Sequence, residues 1–231
     1  MNGVWRNPLL HVAHNTGIKH NLVVERRLNQ QNSFYGIMSE IKILGFAGSL
    51  RKGSYNKMLL QEAVRLAPQN AQIETFDLAG IPLYNQDEEN DPPQRVKEFK
   101  AKIRASDALL IVTPEYNYSI PGVLKNAIDW ASRPYGDNAF DGKSVAIMSA
   151  STGMIGGARA QYHLRQICVF LNMYPVNTPE VFVSFAPQKF DENGRLTDEN
   201  TKRFITQLLQ NLVHWALILK FGRQRVLEVH A

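Results

Sequence analysis

A glycine-bracketed loop, residues 48–56, carries the densest set of anion-binding groups in the sequence. It follows an apolar run at 41–47, which is typical of a buried parallel strand. Apolar residues at helical spacing then run from Met58 to Leu66, and Pro68 ends the pattern. A strand, a tight loop and a helix aim several backbone N–H groups at one point, where negative charge is favoured. We therefore interpret this loop as a phosphate-binding loop.

Sequence features that the loop lacks exclude some of the phosphate ligands it could bind. Gly48 and Gly53 have the spacing of a nucleoside-triphosphate loop, G-x-x-x-x-G-K-[ST], but Ser54 stands where that motif requires lysine. The dinucleotide fingerprint G-x-G-x-x-G is also absent. Ser49, Arg51 and Ser54 supply donors suited to one terminal monophosphate, such as that of flavin mononucleotide (FMN). An ordinary strand-to-helix turn remains the alternative for this loop taken alone.

Two further loops follow apolar runs and have compositions that suit a flat ring. Residues 113–122 hold two prolines, which stiffen the chain, together with Tyr116 and Tyr118, which can pack on a ring, and Asn117, which can bond its polar edge. Residues 149–157 hold three glycines, which let a planar ligand approach the backbone. A loop aromatic that only caps the core remains the alternative for Tyr116. The three loops together favour a site for FMN.

The elements that must position these loops alternate along the chain. Their periodicity predicts strands at 41–47, 72–78, 107–113, 144–150 and 180–184, with helices after the phosphate loop and at 93–106, 122–132, 157–171 and 198–221. This order predicts an α/β fold, a doubly wound five-stranded parallel sheet between two helical layers. Ligands of such folds bind beyond the carboxyl ends of the strands, where the loops after strands one, three and four meet.

Composition excludes several other classes of protein. Of 231 residues, 44% are hydrophobic and 20% are charged, as in soluble globular proteins, and no apolar run approaches the roughly 20 residues of a membrane span. The net charge of +5 does not indicate nucleic-acid binding, since residues 1–37 contribute +3 through four basic residues and one acidic residue. The single cysteine, Cys168, excludes an intrachain disulfide and is typical of a reducing compartment, so we expect a cytoplasmic protein.

Both ends of the chain differ from the middle. Residues 1–37 have weak periodicity, and Met38 stands just before the first strand, so we expect an N-terminal extension that is mostly disordered in the isolated protein. Its three histidines lack ligand-like spacing, and we assign no metal site. Residues 38–221 form the predicted domain, and residues 222–231 are expected to be a C-terminal tail.

Long motifs in these loops carry a specific resemblance. Residues 48–54 (GSLRKGS) and 114–130 (PEYNYSIPGVLKNAIDW), followed by GGAR at 156–159 and QYHLR at 161–165, resemble the NADPH-dependent FMN reductase family. Within that family the motifs are most similar to those of the bacterial quinone and chromate reductases. The likeness covers about residues 40–220 and the motifs keep their order.

The resemblance implies a flavodoxin-like fold, tightly bound FMN and a homodimer or a dimer of dimers (homotetramer). It also implies reduction of quinones, chromate and other small oxidants by NADPH or NADH, through hydride transfer at flavin N5 with ping-pong kinetics. Subunit contacts are implied at Arg159, Tyr162 and Glu180. Carried over by position, the phosphate side would be held by Ser49, Leu50, Arg51, Ser54, Tyr55 and Asn56, and the ring and ribityl chain by Pro114, Glu115, Tyr116 and Asn117, with Ser149, Ser151, Thr152 and Gly153 beside the ring.

Because flavin chemistry resides in the cofactor, we assign no side chain as a general acid or base. Glu115 is expected to anchor its loop or a subunit contact, and His163 to be structural. Three alternatives stay open: a non-catalytic flavodoxin-type electron carrier, a flavin reductase that supplies reduced FMN to a partner, and a regulatory protein that binds a different phosphate. The sequence does not distinguish NADPH from NADH, and it does not identify the electron acceptor.

Overall fold

A computed structural model of the chain describes residues 40–230. The predicted N-terminal extension and its histidines lie outside the described residues. In chain order, the strands and helices are β1 (Ile41–Ala47), α1 (Tyr55–Arg65), β2 (Ala71–Phe76), α2 (Gln94–Ala105), β3 (Ala108–Val112), α3 (Gly122–Ala131), β4 (Ser144–Ala150), α4 (Ala158–Phe170), β5 (Tyr174–Pro175), β6 (Val181–Val183) and α5 (Glu199–His230).

The strands form one parallel sheet in the order β2-β1-β3-β4-β5, and β6 also pairs with β4. The chain moves from β1 outward to β2 and then crosses to the other side of β1 to form β3. Such a reversal leaves a crevice at the carboxyl ends of β1 and β3, because the loops there lead to opposite faces of the sheet. The predicted α/β fold with a flavodoxin-like doubly wound sheet is confirmed.

Apolar side chains fill both faces of the sheet and make a three-layer molecule. On one face, α1 and α5 pack on the sheet through residues such as Leu59 and Leu212, which are buried. On the other face, α2, α3 and α4 pack through residues such as Phe99, Ile128 and Leu164. Every residue of β3 is buried, as expected for a central parallel strand covered by helices on both sides.

The edge beyond β4 differs from the prediction of a single fifth strand. β5 pairs with the start of β4 through Tyr174 and Pro175, and β6 pairs with its end, so two short strands share this edge. The predicted strand at 180–184 corresponds to β6. The sequence pattern missed β5 because two residues that include a proline give no periodicity.

The last helix is longer than predicted. The expected end at Phe221 is wrong, because α5 continues to His230 and takes in most of the predicted tail. Glycine often ends helices, but the residues after Gly222 include good helix formers and no proline, and the helix continues. Two contacts hold this end against the sheet: Lys220 pairs with Asp107 at 3.1 Å, and Arg223 donates to the carbonyl of Gly142.

Of the helices in the described part of the chain, none combines the length and the apolar character that crossing a bilayer requires.

The lone thiol gives a direct probe of this core. Cys168 is fully buried on α4, and burial raises its pKa to about 12. Because the thiolate is the reactive form, we predict that iodoacetamide at pH 8 modifies the native protein on the order of a thousandfold more slowly than the unfolded chain. Mass spectrometry of samples quenched over time measures both rates. Rapid modification without denaturant would contradict this packing.

Candidate active site

The loops after β1, β3 and β4 line an open cleft at the crevice, with a cavity volume of about 210 Å³. Ten of the fourteen predicted site residues line it, so the three loops meet as expected. The lining residues are Ser49, Arg51, Ser54, Tyr55, Asn56, Pro114, Glu115, Tyr116, Ala150, Ser151 and Thr152.

The loop after β1 wraps around the N-terminus of α1. Ser54 is the helix cap, and its hydroxyl accepts the amide hydrogen of Lys57 at 3.4 Å. Arg51 donates to the carbonyl of Gly53, and its guanidinium carbon lies 5.7 Å from the centre of the Tyr55 ring. The first turn of α1 contains no acidic residue. The helix dipole and Arg51 therefore favour an anion at this end of the cleft.

Asn56 joins this loop to the end of β4. Its side-chain amide donates to the carbonyl of Ala150 and accepts from the Ala150 amide, both at 2.9 Å, and the residue is buried. Asn56 therefore lines the cleft as part of its framework, with its polar groups already bonded. Leu50, by contrast, does not line the cleft and is exposed.

Glu115 fixes the loop after β3 to the start of α4. One carboxylate oxygen accepts the amide hydrogens of Arg159 at 3.1 Å and Ala160 at 3.3 Å, and the other pairs with the Arg159 guanidinium. The carboxylate is nearly buried, with 7% of the side chain exposed. It thus satisfies two of the free N–H groups of the helix and complements its dipole. These are the contacts of an anchor, and they leave no free carboxylate for acid–base chemistry.

The same loop contains a strained turn next to the cleft. Asn117 and Tyr118 have φ angles of 48° and 68°, and Tyr116 and Ser119 exchange two backbone hydrogen bonds of 3.0 Å. This is the pattern of a type I′ turn, which normally contains glycine, and left-handed residues of other types cost of order 1–3 kcal/mol each. The Arg159 guanidinium lies 3.6 Å from the centre of the Tyr118 ring.

The two tyrosines of the turn therefore lie in different environments. Tyr118 stacks against Arg159, while Tyr116 lines the cleft with more than half of its side chain exposed. The expectation that both tyrosines meet a ring fits only Tyr116. Asn117 does not line the cleft; it contributes the left-handed backbone of the turn. His163 supports the turn from α4, with its Nδ1 3.0 Å from the hydroxyl of Ser119.

The loop after β4 places only part of its predicted set in the cleft. Ser151 and Thr152 line it, and the Ser151 hydroxyl accepts the amide hydrogen of Gly153 at 3.1 Å. Ser149 is buried behind the loop, where its hydroxyl donates to the carbonyl of Gly156 at 2.6 Å and accepts from Gln161 at 2.8 Å. We therefore assign Ser149 a structural role. Gly153 does not line the cleft.

The residues expected at subunit contacts have partners within the chain. Arg159 pairs with Glu115, and the hydroxyl of Tyr162 donates to Glu180 at 3.3 Å. The hydrogen bond to Glu180 raises the pKa of Tyr162 above its usual value. Around them, the exposed side of α4 also presents Val169 and Phe170 to solvent.

The cleft has the features expected of a ligand site in a doubly wound α/β protein: a helix N-terminus with no acidic residue in its first turn at one end and an exposed tyrosine at the other. Comparison with known proteins identifies the family. The family model for NADPH-dependent FMN reductases matches residues 41–188, and this chain belongs to that family. The match confirms the family that the motifs predicted, and with it the class of NAD(P)H-dependent flavoenzymes.

Relatives support the same class. An NAD(P)H-dependent FMN reductase of Pseudomonas aeruginosa is 54% identical over 182 residues, 78% of this chain and 98% of that protein. A 2-hydroxy-1,4-benzoquinone reductase of Burkholderia is 43% identical over 175 residues, which are 76% of this chain and 96% of that protein. The solved flavoenzyme FerB of Paracoccus denitrificans, an NAD(P)H:(acceptor) oxidoreductase, matches with a TM-score of 0.71 and 36% identity, over 76% of this chain and 97% of that one.

Substitutions at two glycines of the loop after β4 test folding and ligand binding separately. Gly157 has a φ of 88°, and a Cβ there would lie 2.7 Å from the Cβ of Ser149. We predict that Gly157→Ala lowers the free energy of unfolding by about 2–4 kcal/mol. At Gly153 a Cβ would lie 3.7 Å from the Ser151 hydroxyl, an ordinary contact. Gly153→Ala should therefore change stability by less than about 0.5 kcal/mol.

Urea unfolding of both variants measures the stabilities, and titration with FMN measures binding. If Gly153 lies beside the flavin ring, as the family motif implies, Gly153→Ala weakens FMN binding at unchanged stability. Equal destabilisation by both substitutions would contradict the difference in packing between the two glycines.

Proposed function

We propose that this protein is an FMN-dependent NAD(P)H oxidoreductase that transfers two electrons to quinones. The observation that carries the proposal is the cleft itself, in which an anion-binding loop and an aromatic platform face one another at the crevice of the sheet. Quinone reductases among the relatives support the choice of acceptor.

The residues present fit FMN at both ends. The phosphate would be held at the N-terminus of α1 by loop amides, by Arg51 and by the hydroxyl of Ser49, where no acidic residue opposes it. The ring would lie against Pro114, Tyr116 and the loop that contains Ser151 and Thr152. When it is bound, FMN supplies two-electron hydride chemistry that amino-acid side chains lack.

In the proposed reaction the protein's residues bind the flavin, orient it for the substrates and exclude water from it. Among the described residues that line the cleft, Glu115 alone carries a carboxylate, and it is bound to the start of α4. Tyr116 offers a rigid aromatic surface because the turn behind it is fixed by Arg159 and His163. We propose that the nicotinamide and the acceptor occupy this cleft in turn, and we therefore expect ping-pong kinetics.

The proposal extends to chromate and other small oxidants, as the resemblance to the bacterial quinone and chromate reductases implies. A cytoplasmic location fits the supply of NAD(P)H and the single buried thiol.

We also propose that two copies associate through α4, as a homodimer or as part of a homotetramer. The exposed side of this helix carries Tyr162, Val169 and Phe170, more apolar surface than a solvated helix face needs. This assembly would place the turn at residues 116–119 near the subunit boundary, because Arg159 and His163 on α4 contact it.

The proposed reaction is tested by the visible spectrum of the protein loaded with FMN. We predict a flavin spectrum that bleaches when NADPH or NADH is added without air and returns when a benzoquinone is added. Steady-state rates at several quinone concentrations should give parallel double-reciprocal lines. A spectrum that bleaches without quinone-dependent turnover would instead favour the electron carrier, and release of reduced FMN into a filtrate would favour the flavin supplier.

The phosphate loop is tested by comparing FMN with riboflavin, which lacks the phosphate. Arg51→Ala should weaken FMN binding about tenfold or more, the worth of one charge-assisted hydrogen bond, and leave riboflavin binding unchanged. Arg203→Ala is the matched control, because the Arg203 guanidinium lies 5.8 Å from the ring of its neighbour Phe204, on α5 away from the cleft. Equal losses for FMN and riboflavin would contradict a phosphate role for Arg51.

A further inference from the structure

One face of α5 near its end carries an exposed apolar stripe that the proposed reaction does not use. We define the C-terminal stripe as Trp215, Ile218, Gly222, Val226 and Val229, all of which are exposed. The steps between them are three, four, four and three residues, so they lie on one side of the helix. Along the axis they span about 21 Å at the helical rise of 1.5 Å per residue.

The stripe is symmetric about its central glycine. Trp215 and Val229 each lie seven residues from Gly222, and Ile218 and Val226 each lie four residues from it. We propose that α5 pairs with the α5 of a second copy of this chain, antiparallel, with the two-fold axis at Gly222. In such a self-complementary contact, Val229 of each copy meets Trp215 of the other, and Val226 meets Ile218.

Gly222 has the properties that this contact requires. Glycine destabilises a helix interior relative to alanine, and a Cβ built at Gly222 would have no neighbour within 4 Å. Nothing in the described part of its own chain therefore requires glycine at this position. Close approach of a second helix would explain a glycine here, because two helix backbones can come nearest where side chains are absent.

The charged side chains Lys220, Arg223 and Arg225, which lie near the stripe, have partners within the same chain. Lys220 pairs with Asp107 and Arg223 donates to Gly142, both at the amino-terminal edge of the sheet. Arg225 lies 3.5 Å from Glu228, one turn along the same helix. The stripe is thus bordered by charges that have partners, and α5 is held against the rest of the chain as far as Arg223, which lowers the cost of ordering this part of the stripe.

This surface is separate from the other proposed contact and from the cleft. α5 packs on the face of the sheet opposite α4, so both helices can contact different copies at once. It also lies outside the family match, which ends at residue 188. A single helix pair is small beside standard interfaces of about 1,600 Å², so we expect association that reverses on dilution.

Sedimentation velocity of the full chain over a dilution series tests the pairing. Val226→Glu places a charge in the stripe and should raise the concentration of half-dissociation about tenfold or more. Leu227→Glu is the matched control, because it adds the same charge one residue away on an exposed position off the stripe, and it should leave association unchanged. Equal behaviour of wild type and Val226→Glu would overturn the proposal.

Cross-linking tests the antiparallel geometry and needs only correctly folded protein, which circular dichroism verifies. Because Cys168 is buried, an introduced cysteine is the accessible thiol of the described region. Gly222→Cys lies on the proposed axis and should link two chains through a short bis-maleimide, whereas Leu227→Cys should not. Ile218→Cys faces position 226 of the other copy and should not link to itself.

Efficient linking of Ile218→Cys would indicate parallel helices and overturn the antiparallel pair. Equal linking of Gly222→Cys and Leu227→Cys would indicate random collision and overturn the proposal altogether. Both outcomes are independent of flavin binding, so the pairing and the proposed reaction succeed or fail separately.

Discussion

The crevice depends on how the chain completes the hydrogen bonding of β4 after β3 has ended. β3 stops at Val112, opposite Met148, so Ala150 at the end of β4 has no strand beside it on that side. Asn56 takes the place of the absent strand and bonds both backbone groups of Ala150. A buried strand end without such a partner would be costly. One buried amide therefore joins the start of α1 to the end of β4 and satisfies the strand end that borders the cleft.

The cleft is polar in one direction because one of two helix N-termini beside it is neutralised by a carboxylate of the chain and the other is not. Both α1 and α4 begin at this edge of the sheet, and either dipole would favour an anion. Glu115 occupies the start of α4 with a carboxylate from the chain itself, whereas the first turn of α1 contains no acidic residue. Of these two helices, α1 is therefore the one that favours an external phosphate. The aromatic platform of Tyr116 is adjacent to the neutralised end, which sets the direction in which a flavin would lie.

The sequence was sufficient for features that depend on local pattern. Apolar runs located β1, β3 and β4, and glycine and hydroxyl residues located the three loops, because strands and tight turns are specified by neighbouring residues. The bonds that fix the site were not accessible in this way, since Asn56 and Ala150 are 94 residues apart. The left-handed backbone at Tyr118 was also unpredictable from residue type. The continuation of α5 past Gly222 was not predicted either, because glycine commonly lies at the ends of helices.

The far end of α5 lies at the edge of the sheet opposite the cleft. Its last fixed contacts, Lys220 with Asp107 and Arg223 with Gly142, are to residues just before β3 and β4, whereas the cleft lies beyond the ends of those strands. β3 is buried throughout, and closely packed strands of this kind do not deform gradually. Association through α5 would therefore bring two copies together without altering either cleft. The geometry of each cleft would still be fixed by Asn56 and Glu115 of the same chain.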